Sequence, residues 1–260
     1  MRFQRALLVC AFLTSVACMQ GQRVVKVNLD GSGTIVDTVT LGEQARGMLS
    51  AMDGMDKSSP AEKKAKKTEK LKAAAATMGE GVSFVSFESG KDGSEKMTYS
   101  FKDVTKLKID WSPNTSDNDP KTANDPVTFR LARQGANSVL TVVQAPKVEK
   151  KDATAKAKAK PKPEEMAQQM AMMKGMMAGL KMSGILEVNG RIVKTNSPYV
   201  VGPAVTLLEV DFDQIAADPV AFQKLAEIDD PTKADPKLVA AVKGVKINTL
   251  PELTIEFAPK

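Results

Sequence analysis

Apolar and polar positions alternate with a period of two along much of this chain, and that alternation predicts strands. Between residues 24 and 41, Val25, Val27 and Leu29 alternate with polar residues. Asp30-Gly31-Ser32-Gly33 supplies a turn, and Ile35, Val39 and Leu41 resume the period. This is the pattern of a β-hairpin. Further strands are expected at 82–88, 96–101, 105–110, 127–133 and 138–144. Gly90-Lys91-Asp92-Gly93 joins the first two of these as a hairpin, and Gln134-Gly135-Ala136-Asn137 joins the last two. After Gly184 one strand is expected through 185–192 and a second at 204–212. A final strand is expected at 252–257.

The helical period surfaces in fewer places. Residues 43–52 suggest a short helix before the Asp53-Gly54 break. Ser59-Pro60-Ala61-Glu62 carries three agreeing start signals: a capping Ser, a Pro in the first turn and a Glu that closes a capping box. That helix should run to Met78 and stop at Gly79, with a thin apolar face of Leu71, Ala74, Ala75 and Met78. A Met-rich helix is expected at 164–182, and short helices at 213–217, 219–228 and 236–243. Together these elements predict an α+β fold: a mainly antiparallel sheet with helices on one face, among them a Lys-rich and a Met-rich amphipathic helix.

The organisation follows from the segments between. Residues 1–17 have the layout of an export signal: Arg2 and Arg5, an apolar run from Ala6 to Leu13, then small residues. The run is too short to cross a bilayer. Ser15-Val16-Ala17 fits an ordinary cleavage site. Ala17-Cys18 also resembles the end of a lipobox, where the cysteine is acylated, although Ser15 stands where lipoboxes usually carry Leu. Acylation at Cys18 is the favoured reading, and it places the protein in the cell envelope, membrane-anchored or periplasmic. Residues 18–144 form a β-rich part. Residues 145–163 are low-complexity Ala-Lys-Pro sequence with too little apolar surface to offset the entropy of ordering it. Residues 164–260 are expected to complete the same domain.

Composition removes whole classes of chemistry. There is no histidine, and the two cysteines, Cys10 and Cys18, both lie at the N-terminal end. His-based acid–base catalysis, Ser–His and Cys–His nucleophiles and the usual zinc sites are therefore excluded. The net charge of +6 falls to +4 without Arg2 and Arg5, and it is concentrated in two tracts. Residues 57–72 and 147–162 each hold seven Lys against two acids, so the rest of the chain is acidic. Nucleic-acid binding is not expected, because neither tract interleaves Arg or aromatic residues with its lysines. Solvated tracts, or tracts drawn to anionic headgroups, remain.

Candidate sites are sparse. Residues 28–35 suggest a calcium loop, but Val39 stands where a bidentate Glu is needed, so a hairpin turn is expected. Asp117, Asp119 and Asp125 crowd one loop with Asn114, Asn118 and Asn124, without the spacing of a known calcium site. Asp211 and Asp213 would share a strand face as paired carboxylates, but Asp213 is better placed to cap a helix. The Met run is the most unusual feature of the chain. Met166, Met170, Met173 and Met177 line one helical stripe, with Met172 and Met176 beside it. Thioethers suit Cu(I), but they also form an adaptable apolar face. That face, Met166, Met170, Met173, Met176 and Met177, is the candidate surface for an envelope protein or apolar ligand. No Walker A loop, Gly-x-Ser-x-Gly elbow or Ser-x-x-Lys is present beyond the signal.

Three stretches carry a resemblance: residues 176–180, Leu186-Glu187-Val188-Asn189-Gly190-Arg191-Ile192-Val193-Lys194-Thr195-Asn196, and Val205-Thr206-Leu207-Leu208-Glu209-Val210-Asp211-Phe212-Asp213. With the Asp30-Gly31-Ser32-Gly33 hairpin, they resemble a group of uncharacterised exported bacterial proteins over about two-thirds of the chain. The resemblance implies a fold and no activity, cofactor or catalytic residue. The expected function is an envelope lipoprotein in a non-enzymatic binding or structural role, with no cofactor or metal. The alternatives are a carboxylate-based periplasmic enzyme and a Met-rich Cu(I)-binding protein.

Overall fold

Strand β1 (Met19–Val27) lies in the middle of an eight-stranded sheet. The computed structural model describes residues 19–42, 46–47, 50–51, 58–90, 92–111, 126–144, 177–218 and 241–260. On one side β1 pairs antiparallel with β2 (Gly33–Leu41), which pairs with β4 (Ser94–Phe101), which pairs with β3 (Ser83–Ser89). On the other side β1 runs parallel to β7 (Lys181–Val188). Beyond β7 comes β10 (Ala204–Asp211), whose far edge carries β9 (Val200–Val201) and β11 (Val245–Ile247). A second, four-stranded antiparallel sheet has the order β5 (Thr128–Gln134), β6 (Asn137–Val143), β12 (Glu252–Ala258), β8 (Arg191–Thr195).

One buried cluster joins the two sheets. The larger contributes Val25, Val27, Ile35, Tyr99, Phe101, Leu186 and Val188, the smaller Phe129, Leu140, Val142, Leu253, Ile255 and Phe257. Each such side chain stabilises by roughly 1.5–3 kcal/mol when removed from water. Alternation on each strand supplies one buried face per sheet, and the two faces meet as in a sandwich.

This overturns the expected α+β class. Among the described residues 52% are in strands and 19% in helices, twelve strands form two sheets, and one helix reaches seven residues. The far face of the core is a second sheet and not a layer of helices. A period of two says that one face is buried; it does not say against what.

The long helix is α1 (Pro60–Thr77), and it forms as its start signals require. The Ser59 side chain accepts from the Glu62 N–H, and the Glu62 carboxylate accepts from the Ser59 N–H at 2.7 Å. It ends where Gly79 takes φ +138°, a conformation open to glycine; a Cβ there would also stand 2.3 Å from the Lys106 carbonyl oxygen. Residues 46, 47, 50 and 51 are helical. The short helix α2 (Phe212–Ala217) follows β10.

Four further expectations are corrected. Residues 105–110 are not a strand. Val104–Lys106 is a 3-10 turn, and Leu107 and Ile109 make only single bridges, to Gly79 and Val127. Val104, Leu107 and Ile109 are all fully buried, so the alternation recorded burial without recording strand pairing. The strand expected at 185–192 is two strands, β7 and β8, which part at Asn189-Gly190 and join different sheets. The Met-rich helix does not extend to residue 182: Met177 is helical, 178 and 179 form a turn, and Lys181 and Met182 belong to β7. Residues 241–243, expected to be helical, lie in a turn and bend. The helix expected at 219–228 lies outside the described residues.

Candidate functional site

The end of the large sheet where β1 begins, here the lower end, collects the features that depart from a plain sandwich core. Burial falls off toward it row by row across the inner face. The rows Val188–Val27 and Leu186–Val25–Ile35–Tyr99 are fully buried. The next row is Gly184, Arg23, Asp37 and Met97, and the last is Met182, Gly21, Val39 and Glu95, only partly buried.

An ion pair stands in the third row. Arg23 Nε and Nη2 donate to the two Asp37 oxygens at 2.7 Å each, a bidentate fork, and Nη1 donates to the Asp110 carbonyl at 2.9 Å. Burial works against the charged guanidinium, but the Asp37 carboxylate outweighs it and raises the Arg23 pKa above its ordinary value. Burial, and then the Asp37 charge, push the neighbouring Tyr99 phenol up. Trp111 lies against Gly184 in the same row: a Cβ at Gly184 would stand 2.3 Å from the indole ring, so only glycine admits it. The Trp111 indole N–H is buried and has no partner among the described residues.

Helix α1 runs antiparallel along β3. Its C-terminal end returns through Gly79 to the start of β3, while Lys67 reaches the far end of the β3–β4 hairpin. There the Lys67 ammonium pairs with Glu95 and sits 4.1 Å over the Phe87 ring. Ala75 and Met78 join the core. At about 1.5 Å rise per residue, the seven residues ahead of Lys67 extend roughly 10 Å past that contact, toward the lower end.

The opposite, upper end holds a shallow polar cleft of about 400 Å³ lined by Lys26, Asn28, Ser32, Thr34, Glu187 and Asn189. Its groups satisfy one another. Asn28 Nδ2 donates to Ser32 Oγ at 2.9 Å, Asn189 Nδ2 to Asn28 Oδ1 at 3.1 Å, and Lys26 Nζ to Glu187 Oε1 at 3.3 Å. The Ser32 hydroxyl and N–H both donate to Asp30 and hold its carboxyl below the ordinary value. The residues once matched to a calcium loop are thus a bonded hairpin turn.

The two paired carboxylates serve structure. The Asp211 side chain caps α2 by accepting from the Gln214 N–H, so the cap is Asp211 rather than the expected Asp213. Asp213 accepts from the Gly179 N–H at 2.8 Å. Burial disfavours ionised Asp211, but hydrogen bonds from Gln214 and Lys181 outweigh it and lower its pKa. Among the described residues no group of three or more Cys, Asp or Glu is arranged to hold a metal. Cys18, Met166, Met170, Met173, Met176 and the Asp117–Asp119–Asp125 loop lie outside the described residues; Met177 is half-buried. The Arg23–Asp37 pair and Trp111 are not among the candidates that the sequence alone offers. Their signal was a charge at an inward position of an alternating strand, Arg23 in step with Val25 and Val27.

Among the described residues, no helix is long and apolar enough to cross a membrane. No protein-family model matches the chain, and no curated protein matches it. Among solved structures it is similar to the folded domain of the LppM protein of Mycobacterium tuberculosis, determined by NMR. That match has 9% identity and a TM-score of 0.29 over 96% of this chain and 95% of the other.

Proposed function

We propose that this is an exported lipoprotein of the cell envelope, acylated at Cys18, whose sandwich has a non-enzymatic binding or structural role at the membrane. The observation that carries this reading is the order of basic, apolar and small residues that ends at Ala17-Cys18. Cys18 is bonded directly to Met19, the first residue of a strand at the centre of the eight-stranded sheet. Acyl chains on Cys18 would hold the domain by its lower end with no intervening linker, and two or more chains anchor firmly. An apolar ligand or envelope protein would meet the Met-rich segment that enters β7 at the same end.

The test is the intact mass of the natively processed protein from a membrane fraction. An N-terminal Cys18 with added acyl mass is the expected result. A different N-terminus without added mass would remove the anchor and return the protein to the soluble exported class.

A further inference from the structure

We propose that the lysine-bearing stretch of α1, Lys63 to Lys70, is an electrostatic foot that docks on an anionic phospholipid bilayer. The proposal rests on the lipoprotein reading for the identity of the membrane, but its chemistry is independent of the acyl chain. Three observations support it. The first is direction: α1 runs along β3 toward the lower end, where β1 begins, and its opening turns extend past the Lys67–Glu95 contact. The anchor and the helix start therefore point the same way.

The second observation is the distribution of charge around the helix. Helix α1 holds six Lys and two Glu. At 100° per residue, Lys63, Lys64, Lys67 and Lys70 fall within about 120° of its surface, on the same side as the half-buried Leu71 and Ala74 and the buried Met78 further along. Glu62 and Glu69 fall together on the opposite side. Along this stripe Met78 joins the core, Lys67 meets Glu95 on the β3–β4 hairpin, and Lys63 and Lys64 lie beyond that contact.

The third is the bookkeeping of partners. The two acids of the helix are already engaged: Glu62 closes the capping box and Glu69 accepts from Lys72 at 2.9 Å. Lys64, Lys66 and Lys70 are exposed. Lys66 donates to a neutral group, Ser58 Oγ, at 2.9 Å, and forms no ion pair among the described residues. Lysines held near an anionic surface attract it additively. An acidic protein would need shaped pockets for specificity, whereas a bilayer needs only charge on a protruding face.

The test uses the full chain with Cys18→Ser, so that no acyl group contributes, and vesicles of 70% phosphatidylcholine and 30% phosphatidylglycerol. Sedimentation at low salt should show binding that disappears at 0.5 M salt and on pure phosphatidylcholine. The triple variant Lys64→Gln, Lys66→Gln, Lys70→Gln should weaken partitioning about a hundred-fold. Replacing the same three by Arg should preserve it. The control triple Lys102→Gln, Lys106→Gln, Lys108→Gln removes the same charge from exposed positions by the 3-10 turn, and should change partitioning little. Gln suits a helix about as well as Lys, so folding should survive.

Equal loss in the two triples would reduce the effect to net charge and overturn the proposal. So would absence of vesicle binding, or binding to soluble polyglutamate but not to vesicles, which would reassign the foot to an acidic protein. The outcomes separate from those of the mass measurement. An unacylated native protein that still binds through these lysines would retire the anchor and keep the foot.

Discussion

The two ends of the eight-stranded sheet are both polar, and they handle polarity in opposite ways. At the upper end, Asn28, Asp30, Ser32 and Asn189 bond to one another, and Lys26 offsets Glu187, so the cleft closes on itself. Directly beneath it the core is closed by the second sheet, with Phe257 and Leu140 fully buried. At the lower end the sheet gives up its apolar row for an ion pair and an indole, and the neighbouring helix holds Lys64, Lys66 and Lys70 in exposed positions. Local satisfaction makes the first end a structural closure. Exposed lysines give the second end the charge on which the proposed bilayer contact rests.

The sharpest way to break the comparison is to hollow the upper core. Phe257→Ala should destabilise by about 3–5 kcal/mol in urea titration, from lost transfer energy plus a cavity. A cost no larger than that of a surface substitution would mean that the second sheet does not close the core there. A smaller loss is expected at the lower end from Asp37→Ala, which leaves the Arg23 guanidinium without its fork. Breaking a fully buried pair costs 3–5 kcal/mol, and the 26% and 14% exposure of these side chains reduces the expectation to about 2 kcal/mol. If Asp37→Ala cost no more than breaking the exposed Lys72–Glu69 pair, the row would be ordinary surface. Ser59→Ala should cost about 1 kcal/mol by removing the cap of α1. It should weaken vesicle binding as well, because the opening turns present the lysines.

The smallest effect is acid sensitivity. Asp211 and Asp30 both have folded pKa values below their ordinary 3.8. Such groups contribute stability in full above the unfolded value and lose it as pH falls through the folded one. Stability should therefore hold from neutral pH to about 5 and decline below about 4. Asp211→Asn should flatten part of that decline while leaving the Asp30 share intact. An unchanged acid slope in chemical denaturation would show that the Lys181 and Gln214 contacts do not persist in solution.

Legibility differed along the chain for physical reasons. The 24–41 hairpin and the Ser59–Glu62 capping box were legible because each rests on contacts within a few residues. The 3-10 turn at Val104–Lys106 was not: burial of Leu107 and Ile109 from both sides imitates a strand. The break at Asn189-Gly190 was missed because both halves alternate in the same phase, and only the meeting of two sheets forces the chain across. The lower-end site was half visible. The Lys tract stood out as composition, whereas Arg23, Asp37 and Trp111 are distant in sequence and gain meaning only from strand register.

By itself the sequence determined what depends on neighbours along the chain: which segments have one apolar face, where α1 starts and stops, and which catalytic chemistries lack their residues. Tertiary structure decided everything that depends on pairing across distance. It set two sheets in place of one sheet under helices, the parallel match of β1 with β7, the seat of Trp111 on Gly184, and the packing of α1 along β3 with Lys67 on Glu95. A period of two records that a face is hidden, and the identity of what hides it is fixed only when segments more than a hundred residues apart meet.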